Sequence, residues 1–474
     1  MKIASLSTPV TSAWFREQGL RLDASPYVSG ALKVKKLLEQ LPETVPLSSL
    51  TAGHNGGIFN GPMFRRVYLP APEHSVPFLG TKDMMAADLT GLPRLRKTDA
   101  RSAALSYLKL EPGMTLISCS GFNAGRRAYV RPDMDGIWSS QDTLKVQPDP
   151  GEIKSGYLYA FLLSRFGEAL VRGSVYGSAV KHIEPHHIAG LPVPRFGEQV
   201  ESKIHNLVEE SAQLRARHQA ELVAATKDFF DSNGLSELNE LRWHQQDRDL
   251  GFEVENLDSF SLRALNFSPR ARRVIRTLES VPGQGLGRIC TSDSLRIGAR
   301  FKRIDTDESH GMRLIGQRQA FWISPEGRWI SASEAPEDSR LQDETILIAG
   351  RGTLGENEVY GRSTLVTGSW LEHAYSQDFV RITSGDHAIP GAYLFAFLRS
   401  DAAFRVLRSM SYGGKQQGFH PARLQALHIP VASPTDRERI AATVRSAYQC
   451  RDRADVLEDE ALELLTAAVE EATG

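Results

Sequence analysis

Residues Tyr157-Leu158-Tyr159-Ala160-Phe161-Leu162 return as Tyr393-Leu394-Phe395-Ala396-Phe397-Leu398, 236 positions later. At the same offset Ser140-Gln141-Asp142 returns as Ser376-Gln377-Asp378, Tyr176-Gly177 as Tyr412-Gly413 and Pro185 as Pro421. Leu191-Pro192-Val193 matches Ile429-Pro430-Val431, two residues out of step. Upstream the match continues with gaps. Leu22, Ser25-Pro26 and Leu38-Glu39-Gln40-Leu41-Pro42 answer to Leu265, Ser268-Pro269 and Leu278-Glu279-Ser280-Val281-Pro282. Thr115-Leu116-Ile117 through Gly121 answers to Thr345-Ile346-Leu347 through Gly352. A period of about half the chain is far too long for a solenoid and predicts tandem globular modules of one plan. Duplication also supplies an internal test, because chemistry essential to the module should stand in both copies.

A chain of 474 residues is long enough for two or three domains. Its 41% hydrophobic and 24% charged content is ordinary for a globular protein. Three widely spaced cysteines, Cys119, Cys290 and Cys450, argue against a disulfide framework and for a reducing compartment. The first residues lead into no long apolar run, and no stretch reaches the roughly 20 apolar residues of a membrane span, so a cytoplasmic location without membrane association is expected. Net charge is −1. The segments 198–230 and 434–471 carry −2 and −5, which leaves +6 on the other 403 residues. That excess is a modest pointer to a polyanion partner.

Each copy reads in the same order. A short helix (Leu32 to Leu41; Val274 to Val281) precedes short strands separated by Gly, Pro and Asp, among them Thr115–Cys119, Arg127–Val130, Thr345–Ala349 and Phe379–Ile382. An amphipathic helix follows, Gly156 to Val171 or Ala392 to Leu407, with Ser155 as N-cap of the first. A Gly- and Lys-bearing loop, a Pro-containing exit and a long helix complete the copy. In the first long helix Val200, Ile204, Leu207, Leu214, Leu222, Ala225 and Phe229 fall near a four-three spacing, interrupted by Ser211 and His218. In the second, Ile440, Val444, Ala447, Ala454, Ala461, Leu465 and Ala468 do likewise. Such stripes must be buried, and the two helices are expected to pair antiparallel as a spacer. At ~1.5 Å per residue each would be a rod of roughly 50 Å. The expected fold is therefore α+β, with boundaries at 1–197, 198–232, 233–433 and 434–474.

Catalytic signatures are sparse. Gly413-Gly414-Lys415 has Ser409 where a Walker A loop needs its first glycine. Gly283-Gln284-Gly285-Leu286-Gly287 ends one place too early for a dinucleotide fingerprint and reads as a turn. No Asp/Asn-Pro-Pro-aromatic motif of an amino-methyltransferase occurs. Asp133, Glu152 and Lys154 imitate the acidic-plus-lysine pattern of metal-dependent nucleases, but the second copy lacks it. His182, His186 and His187 are replaced there by Gly418, Ala422 and Arg423, so a shared metal site is not required. Trp322 and Trp329 flank Ser324-Pro325-Glu326-Gly327 and read as hairpin core.

The order of elements and their duplication resemble the specificity subunit of type I restriction–modification systems, over essentially the whole chain. Leu191-Pro192-Val193-Pro194 with Gln199, its echo Ile429-Pro430-Val431 before Arg437 to Ile440, and Arg21-Leu22-Asp23-Ala24 are the stretches most like that family. Ala432-Ser433-Pro434 departs from the first copy's Pro-rich exit. The resemblance implies two target-recognition domains, each reading half of a split duplex-DNA site, and a coiled-coil ruler between them. It also implies docking of two adenine-methyltransferase subunits and of motor-nuclease restriction subunits. S-adenosylmethionine, ATP and Mg²⁺ would then belong to those partners, and this chain would be a non-catalytic component of phage defence. The alternatives are a metal-dependent DNA nuclease and a stand-alone DNA-binding protein.

Within that reading, two segments per copy are placed to touch DNA. The loop after the amphipathic helix offers Lys181 and His182 in one copy and Lys415, Gln416 and Gln417 in the other. Lysine suits phosphate, and glutamine suits adenine. The turn after the Leu-Ile strand offers Arg126 and Arg127 in one copy and Arg351 in the other, suited to guanine or phosphate.

Overall fold

The duplication recurs strand by strand. The computed structural model describes residues 10–17, 20–21, 25–121, 124–177, 181–254, 257 and 261–473. Leu22 to Ala24, Phe122-Asn123 and Ser178 to Val180, which belong to the repeat and loop expectations, lie outside the described residues. The first copy builds a four-stranded antiparallel sheet in the order Ile58–Phe59, Thr143–Val146, Thr115–Ser118, Arg127–Tyr129. The second builds the same sheet from Arg296–Ile297, Phe379–Ile382, Thr345–Ala349 and Ser363–Val366. Thr115–Ser118 and Thr345–Ala349 are buried at every position, as continuous apolar, β-branched runs should be. A three-stranded sheet accompanies each. Arg94–Arg96, Ser75–Leu79 and Trp138–Ser139 form one; Arg328–Ser331, Gly311–Ile315 and Ala374–Tyr375 form the other. Both contain one parallel pair, Phe78 opposite Trp138 and Leu314 opposite Ala374.

A two-stranded ribbon closes each copy and corrects two expectations. Thr44–Pro46 pairs with Pro192–Pro194, and Gly283–Gly285 pairs with His428–Pro430. The exits are therefore equivalent at the common offset of 236, not two residues out of step. The Tyr157 hydroxyl donates to the Pro194 carbonyl at 2.5 Å and the Tyr393 hydroxyl to the Pro430 carbonyl at 2.9 Å, which fixes the same register. The glycine-rich Gly283–Gly285 is a strand and not a turn. A side chain at Gly283 would run into the Ile429 carbonyl and the His428 ring, so glycine is needed for close pairing.

The expected amphipathic helix is two helices in both copies. Ser155–Leu163 breaks at Ser164 (ψ 164°) before Arg165–Ser174, and Gly391–Leu398 is followed by Ser400 (ψ 158°) and Asp401–Ser409. The breaking serine caps the second helix: Ser164 Oγ accepts from Gly167 N at 3.3 Å and Ser400 Oγ from Ala403 N at 3.0 Å. The first of each pair is buried on all sides, from Gly156 to Leu162 and from Gly391 to Leu398, so it is core and not amphipathic. Ser155 is its first residue and not its cap; its hydroxyl accepts from Tyr129 at 2.9 Å.

The long helices are Gly197–Ser232 and Pro434–Thr473. The chain forms two compact units, one running to Ala216 and resuming at Arg453, the other Arg217–Asp452. The divisions fall inside both long helices and not at their ends, because each half-helix is part of the core of its own unit. In the first unit Ile204, Val208 and Ala212 join Ala461, Leu465 and Val469 in the cluster that holds the buried helix. In the second, Leu222, Ala225 and Phe229 join Ile440, Val444 and Ala447. There His218 Nδ1 lies 2.8 Å from the Ala447 carbonyl and Arg439 bonds Asp228 at 2.8 Å, which makes the pairing antiparallel.

Candidate nucleic-acid interface

Each unit brings its two singled-out segments into one backbone bridge. In the first, the strand Thr115–Ser118 runs into a turn that Gly121 opens, and Gly121 N donates to the Lys181 carbonyl at 3.1 Å. Ser120 bridges His182, and His182 exchanges both backbone bonds with Tyr176, at 2.8 and 2.9 Å. In the second, the strand Thr345–Ala349 runs into the turn at Arg351, and Gln417 N donates to the Gly352 carbonyl at 2.7 Å. The short ribbon Ser411–Tyr412 with Gly418–Phe419 holds the loop beyond it. Turn and loop, far apart in the sequence, are joined by backbone bonds in each unit.

The named side chains divide into two groups. Lys181, Lys415 and Gln416 are exposed, and Arg126, Arg351 and His182 are half-buried. Arg127 and Gln417 are not placed to touch a duplex. Arg127 is 8% exposed; its guanidinium donates to the Gly125 carbonyl at 2.7 Å and the Leu163 carbonyl at 3.2 Å. Gln417 is 5% exposed; its Oε1 accepts from Arg263 Nη1 at 2.8 Å and its amide donates to the Gly414 carbonyl. Arg127 thereby satisfies the carbonyl of buried Gly125, and Gln417 is held between Arg263 and Gly414. A Cβ at Gly418 would lie 2.8 Å from Arg351 Nη1, so glycine leaves the guanidinium its room.

Three residues behind this surface were not assigned roles from the sequence. Gln317 grips the Arg351 peptide, its Oε1 accepting from Arg351 N at 3.1 Å and its Nε2 donating to Arg351 O at 2.5 Å. It sits 34 residues upstream at the end of another sheet, where no local pattern marks it. Arg21 donates to the Gly173 and Val175 carbonyls at 3.2 and 2.8 Å. Arg263 donates to the Ser411 and Gly413 carbonyls at 3.3 and 3.1 Å. Each arginine fixes the start of the loop in its own unit. The Arg21 stretch was visible in the sequence as a family likeness, without its task.

No protein-family model and no curated protein matches the chain. Three solved structures are similar to it over most of its length. The type I restriction–modification S subunit from M. genitalium is 12% identical, with 91% of this chain and 95% of that one covered and a TM-score of 0.36. The HsdS subunit from Thermoanaerobacter tengcongensis is 14% identical, with 91% and 97% covered and a TM-score of 0.28. A chain from a study of complex assembly and conformational transition of the type I R-M system is 14% identical, with 91% and 98% covered and a TM-score of 0.28. These likenesses are distant.

Two of the three nuclease-like residues, Asp133 and Lys154, have other partners. Arg131 grips Asp133 through two bonds at 2.9 and 2.8 Å, and Lys154 pairs with Glu198 at 3.0 Å. His187 Nδ1 accepts from Glu184 N at 3.0 Å and acts as a helix cap, with burial lowering its pKa, followed by the neighbouring His186. Among the described residues no group of three or more His, Cys, Asp or Glu could hold a metal ion, and no helix is long and apolar enough to cross a membrane. Trp322 is buried, and Trp329 lies on the strand Arg328–Ser331 with Arg313 over its ring at 5.0 Å.

Proposed function

We propose that this chain is a sequence-specific duplex-DNA recognition subunit of the type I restriction–modification kind. Each unit reads one half of a bipartite site, and the chain docks two adenine-methyltransferase subunits and, in a restricting complex, motor-nuclease subunits. S-adenosylmethionine, ATP and Mg²⁺ serve on those partners.

One observation carries this reading. The same frame is built twice, and on each copy the turn–loop bridge displays a different set of basic and amide groups: Arg126, Lys181 and His182 on one, Arg351, Lys415 and Gln416 on the other. A common scaffold with different side chains on the same surface is what reading two different half-sites requires. Lysine fixes register on phosphate and glutamine discriminates base edges.

The test compares Lys415→Ala with Gln416→Ala in binding to a library of duplexes. Lys415→Ala should weaken binding to every sequence and reduce the salt slope by about 1. Gln416→Ala should cost about 1–3 kcal/mol at a single base pair of one half-site and leave the other half unchanged. Equal, sequence-blind losses from both would refute direct readout by this loop.

A further inference from the structure

The segment facing the Ser-Gln-Asp repeat is itself repeated. Gly61, Phe64, Arg65 and Arg66 return 237 positions later as Gly298, Phe301, Lys302 and Arg303. The fold gives both sets the same contacts. Phe64 packs against the cluster of Val76 and Phe78, and Phe301 against that of Met312 and Leu314. The last arginine holds the glutamine of Ser-Gln-Asp: Arg66 Nη2 donates to Gln141 Oε1 at 2.8 Å, and Arg303 Nη2 to Gln377 Oε1 at 2.8 Å. Arg66 also meets Asp142 Oδ2 at 3.4 Å. The middle basic residues, Arg65 and Lys302, are exposed and pair with no carboxylate of the described residues.

This strap lies next to the turn–loop surface. Ser140 N donates to the Leu79 carbonyl at 2.9 Å, and the Asp142 carbonyl accepts from Cys119 N at 3.0 Å, immediately before the turn. In the second unit Ser376 N donates to the Ile315 carbonyl at 3.0 Å and the Asp378 carbonyl accepts from Gly350 N at 2.9 Å, immediately before Arg351. The turn and loop differ between copies, whereas the strap keeps its glycine, its phenylalanine and two basic positions, with Lys302 in place of Arg65. Two half-sites of different sequence share only their sugar–phosphate backbone, so a basic element present in both copies fits that shared part.

We propose that Arg65-Arg66 and Lys302-Arg303 form a pair of phosphate clamps, one per unit, that hold duplex DNA without regard to sequence. Gln141 and Gln377 are positioning residues that orient the guanidinium beside them. This rests on the DNA-recognition reading above. A purely structural strap would need Phe64, Arg66 and Gln141 and their counterparts, but would be indifferent to the exposed Arg65 and Lys302.

The test measures binding of the full chain to labelled duplexes of mixed sequence over a range of KCl, for the wild type and for Arg65→Ala combined with Lys302→Ala. The substituted positions are exposed, and unchanged circular dichroism and thermal unfolding confirm the fold. The salt slope should fall by about 2, at about 0.9 per phosphate contact, with the same loss of affinity for every sequence. If the wild type binds and the variant keeps its slope, or loses affinity for one sequence only, the clamp is refuted and the DNA reading stands. If the wild type binds no duplex at any salt, both are refuted.

Discussion

Lys145 lies on the central sheet of the first unit, fully enclosed, with its ammonium donating to the Ser140 and Thr143 carbonyls at 3.0 and 2.8 Å. Burial lowers its pKa from 10.5 to about 7, against the opposing pull of Cys119 and Asp142. Between those values the unfolded chain holds the proton and the folded chain does not, so this group makes stability rise with pH across the interval. Its cost is fully present below about pH 7. Urea unfolding of wild type and Lys145→Met from pH 7 to 10 should show the wild type gaining on the variant by up to about 1.4 kcal/mol per pH unit. A difference that stays constant would contradict the shift. At this scale the sequence was legible only in residue type. It marked Arg127 and Gln417 as polar groups in the right segments. Their burial depends on the Leu163 carbonyl and on Arg263, partners that lie 36 and 154 residues away and that no local pattern reveals. Lys415 and Gln416 are exposed and remain free to serve as the sequence suggested.

The long helices were legible as elements, and so was most of the second one's buried line, Ile440, Val444, Ala447, Ala454, Ala461 and Leu465; that of the first was legible only towards its ends. Ile204, Val208, Ser211, Arg215, His218, Leu222, Ala225 and Phe229 alternate four and three apart and are all buried, whereas Val200, Leu207 and Leu214 are only partly so. The middle of the seam is polar, so counting apolar residues drew the expected stripe onto neighbouring positions. Ser211 and His218 do not interrupt the seam. They belong to it: Ser211 donates to the Ala454 carbonyl and His218 meets that of Ala447, each at 2.8 Å within its unit. Arg215 is paired with Asp455 at 3.0 Å and Glu458 at 2.8 Å, and Glu458 accepts from Tyr159 at 3.0 Å. Arg215→Ala would leave two carboxylates partly buried without their cation and should cost about 3–5 kcal/mol in chemical denaturation. Arg215→Met combined with Asp455→Asn and Glu458→Gln, which removes both charges and keeps an acceptor for Tyr159, should recover most of that loss. Two equally unstable proteins would show that the loss lies in packing and not in unpaired charge. The helix break at Ser164 is hidden in the sequence because Phe166, Leu170 and Val171 continue a helical spacing past Ser164-Arg165; the backbone at Ser164 and its cap bond to Gly167 N mark the end.

At the scale of the whole chain, duplication made the two-module plan legible, but not the register of the exits, which the Tyr157 and Tyr393 hydroxyl bonds set at the common offset. The sharing of each long helix between units was not legible, because periodicity shows that a helix must be covered and not by what. In the proposed function the helices set the gap between half-sites. Removing seven residues from each, which preserves the four-three seam, should shorten the gap by about 10 Å, or about three base pairs, with both half-sites unchanged. A changed half-site at constant gap would contradict the spacer. The central claim is that this chain chooses the bases its partners modify, and a genome-wide map of adenine methylation in the native host, with and without the gene, tests it most directly. Loss of one bipartite motif, restored by the wild-type gene, is the predicted result. An unchanged map from a host whose partner subunits are expressed and active would contradict it.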